Sequence, residues 1–254
     1  MGDGRGPQRI RLRELFARPT AALPPGQRAV EAFPPFGILV WTRPSIDELR
    51  LEIVASGTTR VLDQSALAAF ARHEQVADFH CVAGWTRRDL RWEGVTVRDL
   101  WDAIITELAP PDATHFRFVG ADGFRATLPL EDALADGVMV ADRLDGEALD
   151  ADHGAPLRLV APAHYGYKNV KYLCRLEVHV GEPDDLPLPR WARPPFRILR
   201  PHPRARVAYR ERHRRLSARR VETAYRLLVP LFVRLSRERP RHRIQPPNGA
   251  GAQK

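Results

Sequence analysis

The chain has 254 residues, 44% of them hydrophobic and 8% aromatic, with two cysteines and a formal net charge of +9. That length can bury one sizeable core with appendages, while two cysteines cannot form a disulfide framework and no stretch approaches the ~18 apolar residues of a membrane span. The opening MGDGRGPQRIRL carries charge but no apolar h-region, so a cytoplasmic protein is expected.

The positive charge is localised. From Arg190 to Arg243 there are 18 arginines against three acids, a local +15 that leaves −6 for the rest of the chain. Basicity therefore belongs to a tail, which disfavours a whole-protein nucleic-acid binder.

In chain order, residues 1–35 are basic and then rich in proline and glycine, and predict an extended arm lying on the domain. Ile38 to Trp41 reads as a short strand, Leu51–Val54 and Arg60–Leu62 as a hairpin, and Ser65 as the cap of a helix from Ala66 to Phe70. Val76 to Val82 is an expected strand running into Cys81, followed by a polar loop Thr86–Asp89 and a short strand or turn Trp92–Val95. Val97 to Leu108 has helical spacing, with Leu100, Trp101, Ile104, Ile105 and Leu108 on one stripe, which makes Trp101 a packing residue. Strands follow at His115–Val119, Phe124–Leu128, Val138–Ala141, up to Val160, and Tyr172–Val180, with a helical turn at Leu130–Leu134. Many short strands and few helices make the fold class α+β with a mixed sheet. There is no Gly-x-Gly-x-x-Gly or Walker loop to support a nucleotide-binding fold. The expected organisation is an arm at 1–35, one body at 36–181, a proline-rich connector at 182–203 and a basic helical tail with a disordered end at 204–254.

The chemistry centres on Asp78-Phe79-His80-Cys81-Val82-Ala83-Gly84-Trp85. Cys81 admits four readings: a small buried hydrophobe, a nucleophile, a zinc ligand, or the single thiolate of a soft metal otherwise held by a cofactor. Strand neighbours point to opposite faces, which weakens a Cys81–His80 pair, and zinc lacks a second nearby cysteine. A lone cysteine suits the last reading best. A second stretch, His164-Tyr165-Gly166-Tyr167-Lys168-Asn169-Val170-Lys171, offers cations, an amide and a glycine for an anion, and Arg158 adds a planar fork. The bland alternative is a surface loop with ordinary lysines.

Four blocks, DFHCVAGW, RWEGV, DGEALDADHGAPLRLVAP and HYGYKNVKYLCRLEV, occur in that order over roughly Ala32 to Gly181. Together they resemble the sulfite oxidase family of molybdopterin-dependent oxidoreductases, in particular its short bacterial members. The resemblance implies the sulfite oxidase-type molybdopterin-binding fold, a molybdenum–molybdopterin cofactor and two-electron oxygen-atom transfer on a small oxyanion, sulfoxide or N-oxide. It implies that Cys81 gives its thiolate to molybdenum, that Asn169-Val170-Lys171 matches the cofactor-phosphate loop, that Arg158 matches the family's Gly-Ala-Pro-x-Arg arginine, and that His153 stands where some relatives contact the pterin. His164, Tyr167 and Lys168 complete the expected cofactor-binding set, and His80 and Trp85 are candidates for hydrogen bonds to the thiolate sulfur. Phe124 and Arg125 are expected to border the substrate. Where sulfite-oxidising members carry arginines after the cysteine, this chain has Gly84-Trp85-Thr86. No haem module is recognisable, so electrons are expected to pass to a separate partner. The tail is read as a helix covering the core, as a docking surface for an acidic protein or a membrane surface, or, least favoured, as a nucleic-acid site. The rival to an enzyme is a non-catalytic binding module that keeps the fold and docks through its tail.

Overall fold

The structure, a computed structural model, describes residues 23–31, 44, 46, 48–184, 202–217, 220, 221, 223 and 224. The expected strand Ile38–Trp41, most of the connector and everything past Ala224 lie outside the described residues.

One sheet has the strand order Thr58–Asp63, Arg50–Ala55, Leu173–His179, His115–Gly120, Arg125–Pro129. Its hairpin β2 (Arg50–Ala55) and β3 (Thr58–Asp63) falls where alternation predicts it, turning through Ser56 and Gly57, both at positive φ. Strands β6 (His115–Gly120) and β7 (Arg125–Pro129) form a second hairpin, and β11 (Leu173–His179) joins the two, parallel to β2 and antiparallel to β6. Leu51, Ile53, Phe116, Phe118 and Leu176 on the inner face have no exposed surface. Each such large side chain contributes on the order of 1.5–3 kcal/mol by leaving water.

Against that face packs the segment Val97–Leu108, which is helical as its spacing predicts. It divides into α-helix Val97–Leu100, a π-helical turn Trp101–Ile105 and a final turn Thr106–Leu108. Trp101 meets Phe116 edge-on at 5.6 Å, the packing role its stripe predicts. The helix Gln64–Ala68 is capped by Asp63, whose carboxylate accepts from Ala66 N at 2.8 Å and from the Ser65 hydroxyl at 2.7 Å. Ser65 is therefore not the cap. Asp63 is the last extended residue of β3, with φ −87° and ψ −176°, the backbone a cap requires.

The other sheet is organised on β5 (Trp85–Thr96), twelve residues long. Strand β4 (His73–His80) pairs along one side of it. Along the other side run first β1 (Arg28–Val30), parallel, then β8 (Met139–Leu144), antiparallel, which carries β9 (Glu147–Ala148) and β10 (Arg158–Val160). The expected loop Thr86–Asp89 is thus a strand. Its backbone finds partners on both sides, so the polarity of its side chains does not keep it out of the ladder. Between Ala77 and Phe79 the register shifts by one extra residue on β5, and Asp89 there adopts φ 55° and donates its N–H to Asp78. The bulge re-aims the last residues of β4 just before Cys81.

The described part of the tail also departs from expectation. His202–Ser217 is irregular, with Ala205 and Arg210 at positive φ, which no helix tolerates. Its backbone bonds to the body instead: Tyr165 N to Ala205 O at 2.9 Å and Val207 N to Ala163 O at 3.0 Å. Among the described residues of the tail, helical backbone occurs only at Arg220, Val221, Thr223 and Ala224. None of the described helices is long and apolar enough to cross a membrane.

Candidate functional site

Cys81 lies just past β4 in a tight reversal into β5. Its N–H donates to Trp85 O at 2.8 Å and its carbonyl accepts from Gly84 N at 2.9 Å. Gly84 has φ +90°, and a Cβ there would press on Gly26 O at 3.0 Å, so this turn and the chain at Gly26 need glycine to meet. The side chain is buried with Val30, Ala83, Trp85, Leu90, Trp92, Met139 and Val160. Burial pushes the thiol up to about 12, opposed by a hydrogen bond from Ala83 N–H and by the charges of Arg212 and Arg28. Such a thiol stays protonated at neutral pH unless a cation takes the proton's place. Among the described residues no three His, Cys, Asp or Glu side chains gather as a metal site. The other cysteine, Cys174, donates to Val119 O in the first sheet, and burial pushes it up to about 11.

The turn is braced from β1 and β5. Thr86 Oγ1 donates to Gln27 Oε1 at 3.1 Å, so it accepts from His80 Nδ1 at 2.8 Å, which fixes the proton on Nδ1. Gln27 Nε2 then donates to Cys81 O at 3.2 Å. Burial lowers the His80 pKa and keeps the ring neutral. His80 Nδ1 is thus committed to Thr86. The thiol's hydrogen bond comes from the backbone of Ala83, a donor that side-chain reasoning overlooks.

Arg158, fully buried, lies over the Trp92 ring at 4.8 Å and near Phe79 at 5.4 Å, two members of the aromatic wall that includes Trp85. Its Nη1 donates to His153 O at 2.9 Å, and burial brings its pKa down to about 9. Lys171 Nζ donates to Asp152 O at 2.6 Å, and its Cβ would lie 2.8 Å from any Cβ on Gly154. Arg158 and Lys171 therefore meet on the backbone of residues 152–154, beside His153. Asn169 accepts from Ala161 N at 2.7 Å through its side chain, Val170 is core, and Lys168 turns away to Thr127 O. Phe124 packs on the main core and Arg125 is exposed at the start of β7; neither joins the residues around Cys81.

His164 and Tyr167 hold the C-terminal segment: His164 Nδ1 donates to Arg204 O at 2.5 Å and Tyr167 OH to Arg212 O at 3.2 Å. This clasp brings Arg212, 1% exposed, against the Tyr165 ring, with Nε donating to Tyr165 OH at 3.1 Å and Nη2 to Gly26 O at 3.3 Å. Gln27, Arg28, Thr86 and Arg212 were absent from the sequence-based site. Arg212 is one of eighteen arginines in its stretch, and only the apolar Ala205 and Val207 nearby hint that this part of the tail is packed. Other described arginines of the segment pair within the chain: Arg204 with Glu131 and Asp132, Arg206 with Glu211, and Arg214 with Glu182.

The model of the oxidoreductase molybdopterin binding domain matches residues 40–186. The chain is 40% identical over 106 residues to the uncharacterized oxidoreductase YuiH of Bacillus subtilis, covering 41% of this chain and 52% of that one. It is 28% identical over 209 residues to the mitochondrial sulfite oxidase of Drosophila melanogaster, covering 68% and 36%. Over 112 residues it is 31% identical to a putative protein-methionine-sulfoxide reductase subunit, YedZ1, of Azospira oryzae, covering 44% and 41%. The matched stretch thus spans 52% of the first relative and 36% of the second.

Proposed function

The chain belongs to the oxidoreductase molybdopterin binding domain family, and from that premise we propose that it is a molybdenum-cofactor oxidoreductase in which Cys81 is the protein's ligand to the metal. The observation that carries this reading is the character of the interior beside Cys81. Arg28, Arg158 and Arg212 are each 3% exposed or less, around a buried thiol and an aromatic wall. The one buried carboxylate among the described residues, Glu177, lies in the other sheet with Arg117. Buried positive charge of this kind fits a phosphate-bearing cofactor, and a lone buried thiol fits a soft metal.

In this reading Arg158, His153 and Lys171 hold the anionic pterin side, with Asn169 and Val170 shaping the loop that presents Lys171. Phe79, Trp85 and Trp92 exclude water from the sulfur, and the His80–Thr86–Gln27 chain fixes the turn so that Sγ keeps one direction. When bound, the cofactor supplies two-electron oxygen-atom transfer to or from a small substrate, and the electrons leave or arrive through a separate protein. The relatives' names, sulfite oxidase and methionine-sulfoxide reductase, support substrates with an oxygen on sulfur.

The test is metal and pterin analysis of protein made in a host that synthesises the cofactor. About one molybdenum per chain is expected, and Cys81→Ser should lose it while the circular dichroism spectrum is unchanged. Well-folded wild-type protein carrying neither metal nor pterin would overturn the reading.

A further inference from the structure

We propose that the C-terminal segment His202–Ser217 is a pH-sensitive latch: neutral His164 and His202 hold it on the body beside the Cys81 turn, and protons taken up by the two rings release it. What release does to a metal at Cys81 rests on the cofactor reading above; the latch itself rests on the chain's own residues.

The hydrogen bonds settle where each ring carries its proton. His202 Nδ1 accepts from Ala205 N–H at 3.3 Å, so that nitrogen is bare and the neutral ring keeps its proton on Nε2. His164 Nδ1 meets the Arg204 carbonyl at 2.5 Å and must donate, so its bare nitrogen is Nε2, in a residue 3% exposed. A proton on His202 Nδ1 removes the acceptor for Ala205 N–H. That bond counts because Ala205 holds φ 54°, a left-handed backbone that alanine keeps only where its surroundings fix it. Ala205 in turn supplies the carbonyl that takes Tyr165 N–H. A proton on His164 Nε2 puts charge into a buried position.

The surroundings of both rings favour the neutral form. Burial is the largest influence on each and lowers its pKa. Around His164, the bond to Arg204 O and the charge of Asp132, on the helical turn Leu130–Ala133, oppose that, while the cations Lys168 and Arg206 add to it. Around His202, Glu211 at 3.4 Å opposes it, but Glu211 already holds Arg206 through two nitrogens, and Arg214, Lys168 and Arg206 add to it. A histidine depressed in the attached state contributes attachment above its free pKa of about 6.5 and loses it as pH falls through the attached value. Little else resists release. The described apolar anchor is Ala205 and Val207 against Val82, Tyr165 and Tyr167, and the ion pairs of Arg204 with Glu131 and Arg214 with Glu182 lie at the surface, where such pairs contribute little. Release reaches the cysteine by two routes. His80 bridges to Tyr165 and Val82 packs against it, so both neighbours of Cys81 rest on a residue the latch fastens. Arg212 Nη2 donates to Gly26 O, next to Gln27, whose Nε2 donates to Cys81 O.

The test is amide hydrogen exchange of the full chain at pH 7.5 and 5.5, each rate taken relative to an unfolded chain at the same pH, with molybdenum measured on every sample. The protection of the Tyr165 and Val207 amides, which bond across the latch, is expected to fall by about 10-fold or more, while that of Ile53 in the central strand β2 is unchanged. Asparagine offers an acceptor or a donor near the Nδ1 position and does not titrate. In the double variant His164→Asn, His202→Asn the fall should therefore vanish, and in each single variant it should shrink. Wild-type protection that does not change with pH, a fall shared equally by Ile53, or the same fall in the double variant overturns the proposal. Should the double variant not fold, the ring titrations of His164 and His202 in wild type decide: protection lost at a pH where both rings are still neutral counts against it. Protein without molybdenum that shows the histidine-dependent fall would defeat the cofactor reading and leave the latch standing; molybdenum-loaded protein without the fall would do the reverse.

Discussion

The sheet built on β2, β6 and β11 and the sheet that ends at Cys81 bury comparable side chains for opposite reasons. In the first, Leu51, Ile53, Phe116, Phe118 and Leu176 face a helix, and the buried Glu177 is paired across strands with Arg117. In the second, the buried set includes Arg28, His80, Arg158 and Arg212, and segments from both ends of the chain are needed to enclose it. The first region is optimised for stability. The second holds charged groups where water is excluded, at a desolvation cost.

Substitutions can break that contrast. The largest effect is expected for Phe118→Ala, which should cost about 3–5 kcal/mol in denaturant unfolding while molybdenum per folded molecule is unchanged. Arg212→Met should have the opposite effect on stability: metal-free protein as stable as wild type or more so, by up to about 1–2 kcal/mol, because a buried charge with neutral partners is removed. A loss of several kcal/mol there would mean that Arg212 is a structural clamp. Glu177→Gln gives an effect of roughly 1.5–3 kcal/mol with a pH signature. Burial disfavours its carboxylate, but hydrogen bonds from Arg117 and His179 outweigh that and hold its pKa below the usual value. A depressed folded pKa contributes stability above the unfolded value and loses it as pH falls through the folded one. The two proteins should therefore differ at neutral pH and converge in acid; a constant gap would show that the ion pair is not the cause.

The same contrast explains what could be read from the sequence. In the first sheet the information is local: alternation in β6 and helical spacing from Val97 to Leu108 each specify an element with its buried face. Even its error was local, since Ser65 and Asp63, two positions apart, are both of residue types that cap helices and only Asp63 does so here. Cys81 and Arg158 were legible because their residue types sit in ordered blocks. Gln27, Arg28 and Arg212 were not: the Arg212–Gly26 bond joins residues 186 apart, and nothing in the pattern around either end marks it. Thr86 was hidden by the polarity of its run, which signals a loop wherever a strand is flanked on both sides. His164 and Tyr167 suggested anion binding by composition, and in the structure they bond the backbone of the C-terminal segment.

The central claim is that the Cys81 thiol serves a metal. Its most direct measurement is the molybdenum and pterin content of wild-type and Cys81→Ser protein, purified side by side from a cofactor-producing host. The account predicts about one molybdenum per wild-type chain and background in the variant, both equally folded. Equal metal in the two proteins, or none in well-folded wild type, would contradict it.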